Sequence, residues 1–326
     1  MKKTLKRTLV FLLIGAMALS VCLTVAAAAV KELSLSDIAL EAKRKNPNVS
    51  ANKELLTALE AAGNIPFANV SSSIISLEMA NDMLAVSSKT LLISYYGLLI
   101  KLDDLDSSME LLYAAKNLTN VMYALGLSTK ASVNAAEQNI KDAQMGKETL
   151  ESSADKLKAQ IWNYLGEKKD SAYYSIAAYE KRTPDELSDI KKGLSYDEDY
   201  KAAKKFSYDI KSQTTAMRGA VGPNYHAELT KLNDLLRRFD TNFENVYNAL
   251  LSAFDMLENE DKKFADKEAD FERAEKRYEL GLISKMDYLK AQNDYLSSKN
   301  ALITASLDFE SLYVKYEALK AGLWMN

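Results

Sequence analysis

Tyr123-Ala124-Leu125-Gly126-Leu127-Ser128-Thr129-Lys130 returns further along the chain as Tyr278-Glu279-Leu280-Gly281-Leu282-Ile283-Ser284-Lys285. The two stretches stand 155 residues apart (278 − 123 = 155). Each closes a long run with helical patterning and opens another. A glycine at the same point of two such runs reads as a helical hairpin made twice, and a fixed period governs how the rest of the chain is read. The two turns are matching tips, and function is expected there.

Working outward, the 326 residues include only 11 Gly and 4 Pro, and Ala, Leu, Lys, Glu and Ser dominate. Few breakers among many helix formers point to an all-α chain of long helices. Leu33-Ser34-Leu35-Ser36-Asp37 supplies capping residues for a first helix running to about Ala62, with a kink or short break at Asn46-Pro47. Gly63-Asn64-Ile65-Pro66 ends it. From about Ser72 to Leu125 there is no Pro and one Gly, Gly97, which predicts a single helix. At about 1.5 Å per residue it reaches roughly 80 Å. Gly126 suits the left-handed cap, and a return helix is expected from about Thr129 to Leu165.

The second half repeats this plan. The segment 168–183 is Tyr-rich and irregular, and Pro184-Asp185-Glu186 opens a helix to about Met217, weakened at Gly193. Gly219-Ala220-Val221-Gly222-Pro223 breaks the chain, a long helix runs from about His226 to Leu280, and a return helix fills Ser284 to about Lys320. The expected organisation is a signal peptide over 1–29, a first helical hairpin repeat over 30–167, a linker over 168–183 and a second repeat over 184–326.

The last helix carries a seven-residue row, Tyr288, Tyr295, Leu302, Phe309, Tyr316 and Leu323, with Ala291, Ser298, Ala305, Leu312 and Leu319 as its partner row. That is a coiled-coil seam. The first-half counterpart is Val133, Ile140, Lys147, Ala154 and Ile161. In both halves the partner row is small near the tip, so the hairpins are expected to pack tightest there. A second row, Leu289, Leu296 and Ile303, adjoins the first. A helix with two seams touches a neighbour on each side, as a ring or curved sheet of helices requires; a compact antiparallel bundle also has broad apolar faces, and periodicity does not separate the two.

The formal charge is −3, and removal of Lys2, Lys3, Lys6 and Arg7 with an N-terminal signal makes it −7. A mildly acidic chain without a basic cluster is a poor nucleic-acid binder. The basic start, the apolar run Thr8 to Val25 and Ala26-Ala27-Ala28-Ala29 read as a cleaved export signal. The alternatives are an uncleaved anchor and a lipoprotein at Cys22, where Val21 is bulky for a lipobox. Cys22 is the one cysteine and His226 the one histidine, read as a solvent-facing loop residue. The chain offers little catalytic variety, no cofactor motif and no metal-ligand spacing, and a non-enzyme is expected. Trp162 and Trp324 read as packing anchors near the ends of the return helices.

Ala274-Glu275-Lys276-Arg277-Tyr278-Glu279-Leu280-Gly281-Leu282-Ile283-Ser284, Asp287-Tyr288-Leu289 and Ala291-Gln292, with the weaker copy at Tyr123 to Lys130 and the segment Leu35 to Asn46-Pro47, resemble the TolC family of outer-membrane efflux proteins. The resemblance spans essentially all of the chain after the signal. It implies a homotrimer in which each protomer gives two helical hairpins to a hollow α-helical barrel. It also implies partners: an adaptor (membrane-fusion) protein and an inner-membrane exporter. Carried onto this chain, the adaptor-docking tips are Gly126, Leu127 and Ser128 with Gly281, Leu282 and Ser284. The tunnel constriction falls at Asp287, with Lys290 where another acid can stand and Ser132 as the first-half counterpart of Asp287. Asp287 also has a plain reading, an acid offsetting the macrodipole at a helix start.

One part of the family pattern is missing. The family inserts a strand pair between the short and long helices of each half, whereas the junctions here are Gly63 to Ser71 and Gly219 to Tyr225. Transmembrane strands need about 9–11 residues each, so the barrel strands are expected to be absent or vestigial. The leading function is an exit duct of a tripartite efflux or type I secretion system in the cell envelope. The alternative is a non-conducting structural or adaptor-like coiled-coil protein. A helical pore-forming toxin needs an apolar insertion segment; Leu91 to Leu102, holding Tyr95, Tyr96, Gly97 and Lys101, reads instead as a buried part of a helix.

Overall fold

A computed structural model describes residues 30–61, 67–167 and 173–324. The segment 1–29, read as an export signal, lies outside the described residues. Among those described, the chain forms nine helices and two strands of three residues each. The all-α expectation holds, and no barrel strands are present among the described residues.

Strand β1 (Lys31–Leu33) leads into α1 (Leu35–Lys45), which starts with a capping box between Ser34 and Asp37. Asn46 turns extended (ψ 126°), and Pro47 opens α2 (Pro47–Ala61). Helix α3 (Phe67–Ala124) has 58 residues, and α4 (Lys130–Tyr164) returns beside it. Strand β2 (Tyr174–Ile176) pairs in parallel with β1, so the segment read as irregular contains a short ordered strand.

The second half departs from expectation between Pro184 and Gly219. Instead of one helix to Met217 there are three: α5 (Pro184–Gly193), α6 (Tyr196–Phe206) and α7 (Tyr208–Gly219). Helices α8 (Pro223–Glu279) and α9 (Lys285–Lys320) form the second hairpin. His226 is exposed as expected, but in the first turn of α8 and not in a loop. The stretches left for strand pairs are residues 62–66 between α2 and α3 and residues 220–222 between α7 and α8.

The break between α6 and α7 has a tertiary cause. The turn after α9 enters it: Gly322 has φ 95°, and its carbonyl accepts from the Tyr208 N–H at 2.9 Å. A Cβ at Gly322 would lie 2.2 Å from the Phe206 carbonyl oxygen, so only glycine fits. The first half has the counterpart. Gly166 (φ 69°), after α4, meets the Asn46-Pro47 break, where a Cβ would lie 3.0 Å from the Lys45 carbonyl oxygen, and Asn46 Nδ2 donates to the Tyr164 carbonyl at 2.7 Å. These glycines stand 156 residues apart (322 − 166 = 156). The duplication thus includes the joint between each hairpin and its broken short helix.

The four long helices lie in a row, α4–α3–α9–α8, with α9 packed on both α3 and α8. The two seams of α9 are filled accordingly. Leu302, Ala305, Phe309, Tyr316 and Leu319 join a core with Phe239, Phe243, Leu250 and Phe254 of α8. Ile303, Leu307 and Val314 join another with Leu92, Ile93, Tyr96 and Ile100 of α3 and Trp162 of α4. Each fully buried side chain of this size contributes roughly 1.5–3 kcal/mol. The Leu91–Leu102 stretch therefore serves the core, as its reading proposed. Both tryptophans pack: Trp162 stacks on Tyr174, and Trp324 meets the edge of Phe239.

Polar contacts tie the halves together. The Arg182 guanidinium makes a two-pronged pair with the buried Glu310 carboxylate, and Tyr179 shares a 2.6 Å hydrogen bond with Ser306. Asn300 on α9 donates its buried amide to both Asp103 (3.0 Å) and Asp104 (2.8 Å) on α3. Both cores lie far from the hairpin turns. The expectation of tightest packing at the tips is not met in burial: side chains become exposed toward both turns. A single row of helices has no second layer to cover it there.

Candidate functional site

The two turns have the same backbone hydrogen bonds. Gly126 and Gly281 take φ of 75° and 72°. Leu127 N–H reaches back to the Met122 carbonyl at 2.8 Å, and Leu282 N–H to the Arg277 carbonyl at 2.8 Å. This six-residue closure satisfies carbonyls that a helix end otherwise leaves open. Thr129 then caps α4 by accepting from Ser132 N–H, and Ser284 caps α9 by accepting from Asp287 N–H.

This geometry separates the sequence-chosen residues into two groups. Gly126, Leu127, Gly281, Leu282 and Ser284 are exposed at the ends of the hairpins and Ser128 is half-buried, all within the two turns. Leu127 is 70% and Leu282 64% exposed, although nothing in the fold requires leucine there. Asp287, Ser132 and Lys290 lie one turn into the return helices. Asp287 and Ser132 are equivalent capping partners: Ser284 Oγ donates to the Asp287 carboxylate at 2.8 Å, and Ser132 Oγ lies 3.0 Å from Thr129 Oγ1. Hydrogen bonds from the Ser284 side chain and backbone hold the Asp287 carboxyl below its ordinary value. Asp287 is thus an ionised cap with Lys290 nearby. Among the described residues no group of three or more His, Cys, Asp or Glu side chains gathers to hold a metal ion.

Two features escaped the sequence reading. The second hairpin has an aromatic ladder: Phe264, Phe271 and Tyr278 of α8 meet Tyr295 and Tyr288 of α9, with the Tyr278–Tyr288 rings stacked at 4.7 Å. The seven-residue spacing of the α8 members was the available signal. Exposed apolar side chains also climb α3 above the first turn, at Leu118, Val121 and Met122.

No protein-family model matches the chain. No curated protein sequence matches it. Solved structures do share its fold. The chain is similar to CusC, described for its folding and transmembrane channel formation, at 10% identity over 89% of this chain and 92% of that one, with a TM-score of 0.60. It is similar to the Campylobacter jejuni CmeC outer membrane channel at 11% identity over 78% and 66%, with a TM-score of 0.56. It is similar to the outer membrane protein VceC of Vibrio cholerae at 13% identity over 89% and 97%, with a TM-score of 0.55. The fold is therefore the TolC-like helical fold of these channels, here with junctions too short for strand pairs.

Proposed function

We propose that this chain is a non-enzymatic exit-duct component of the cell envelope. Three copies stand side by side around a hollow, and their tips meet an adaptor of an efflux or type I secretion system. The observation that carries this reading is the open row of long helices. Helix α4 packs on α3 and α8 packs on α9, with α7 against the start of α8, so along the hairpins the two edge helices each leave a flank for a neighbour. A closed bundle brings its first and last helices together. The shared fold of outer-membrane channels supports the same reading. Energy for transport comes from a partner, and the duct does not cross an outer membrane on strands of its own.

Light scattering of the protein purified from its host envelope tests the assembly. Three chain masses are expected, and a strict monomer at micromolar concentration removes the barrel. The second reading, a non-conducting structural coiled coil, is favoured by one observation: residues 220–222 leave no room for a strand pair. Deletion of the chain from its host separates the two, because loss of export belongs to the duct and unchanged export to the structural role.

A further inference from the structure

The two turns share one backbone and the same exposed leucines, Leu125 and Leu127 in the first and Leu280 and Leu282 in the second, whereas the helix leading into each carries opposite chemistry. Across the 155-residue offset, Leu118, Val121 and Met122 of α3 correspond to Arg273, Lys276 and Arg277 of α8 (276 − 121 = 155). All six side chains are exposed, and Val121 is 57% so. Residues 117–128 hold no Asp, Glu, Lys or Arg, whereas residues 272–283 hold Glu272, Arg273, Glu275, Lys276, Arg277 and Glu279. The aromatic ladder stiffens the second tip from within, and the first tip has no such ladder.

Resting on the exit-duct reading, we propose that the duplication has divided the docking task. The first tip, Leu118 to Leu127, is an apolar wedge that seats against an uncharged face of the adaptor's helical hairpin. The second tip presents charges of both signs that orient the same adaptor. Three observations select this occupant. The apolar strip is continuous with the docking turn at Leu125 to Leu127. Its lack of charge matches an apolar partner face, because a charge buried against it would go unpaired. A second copy joining edge to edge reaches α4 or α8, whereas α3 is flanked by α4 and α9 within its own chain. Polar contacts at the second tip set encounter rate and salt dependence more than total affinity.

The test places a photo-reactive residue at Val121, and separately at Arg277, in the full chain within producing cells, with cross-linked products identified by mass. An adaptor captured from both positions is expected. Capture of an adaptor from Arg277 alone overturns the apolar wedge and leaves the duct reading intact. A second copy of this chain or lipid captured at Val121 overturns the wedge, and no adaptor from either position overturns both. With the captured adaptor purified, Val121→Lys combined with Met122→Arg gives the first tip the chemistry of the second. Affinity is expected to fall by about tenfold or more, with helix content unchanged and little dependence on salt. Lys276→Ala with Arg277→Ala is expected to flatten the salt dependence instead. Unchanged affinity in the first variant overturns the proposal.

Discussion

Gly126 and Gly281 have left-handed backbones with open space around them, and Gly322 has a left-handed backbone with none. Nothing lies within 4 Å of a Cβ at Gly126 or Gly281. A side chain there costs only backbone strain, of order 1–3 kcal/mol. At Gly322 a Cβ would stand 2.2 Å from the Phe206 oxygen and 2.5 Å from its carbon. Those are backbone atoms and do not swing aside. Gly322→Ala is therefore expected to lower the melting temperature far more than Gly126→Ala or Gly281→Ala, and to loosen Trp324, which packs two residues on. Thermal unfolding followed by circular dichroism and tryptophan fluorescence checks this. Gly126→Val with Gly281→Val is expected to leave the helices folded and to abolish adaptor binding; unchanged binding removes the turns from the docking account. The turn glycines were legible in the sequence because the motif around them is repeated. Gly322 was not, because its role depends on a backbone that approaches from more than a hundred residues away.

Short elements hold the ends of the long ones. The strand pair β1–β2 and helix α1 are joined at Glu41, which is 2% exposed. Its carboxylate accepts from Lys31 Nζ, Arg44 and the Tyr174 hydroxyl, each at 2.8 Å. Burial pushes the Glu41 carboxyl up, and these three hydrogen bonds outweigh it, holding it down at about 2 against an ordinary 4.5. A carboxyl lowered on folding stabilises the folded state fully above its ordinary value. Its contribution is lost as the pH falls from about 4.5 through about 2. Acid should thus loosen the N-terminal strand in that window, and Glu41→Gln should flatten the response. Gln keeps an acceptor for Tyr174, and Lys31 and Arg44 are exposed enough to stay solvated, so the cost at neutral pH is about 1–2 kcal/mol. Amide hydrogen exchange at Lys31–Leu33 against pH reads the effect; identical profiles for the two proteins would show that Glu41 does not govern the strand. At this scale the sequence was legible where local chemistry decides, as at Ser34, whose capping box forms, and at Pro184, which opens α5. It was not legible where a partner decides. Three-residue strands have no periodicity, and the α6–α7 break at Ser207 contains neither Gly nor Pro.

For the whole molecule, the sequence showed a helix with two seams and left open whether it served a solid bundle or a row. The structure places α9 between α3 and α8 and leaves α4 and α8 at opposite ends. The same periodicity fits both arrangements, because a seam records that a neighbour exists and not whether it belongs to the same chain. The residues read as a constriction meet a similar limit, since Ser132 and Asp287 take part in helix caps within one protomer and a constriction is a property of a ring of copies. The row makes a geometric prediction. Lys141 on α4 and Lys267 on α8 are exposed and lie at matching distances from their turns (141 − 126 = 15; 281 − 267 = 14). Within one chain they are separated by the width of the row. In a ring of copies, the α4 edge of one copy faces the α8 edge of the next at the same height. Cysteines scanned along exposed positions of both helices around these two residues are therefore expected to form disulfides between copies. The links should concentrate at pairs of equal height and build ladders that stop at three chains. Cys22 is the one cysteine in the sequence, so Cys22→Ser removes any background thiol. Links confined to single chains would show that α4 and α8 meet inside one protomer, and the row would then be a closed bundle with no hollow to conduct.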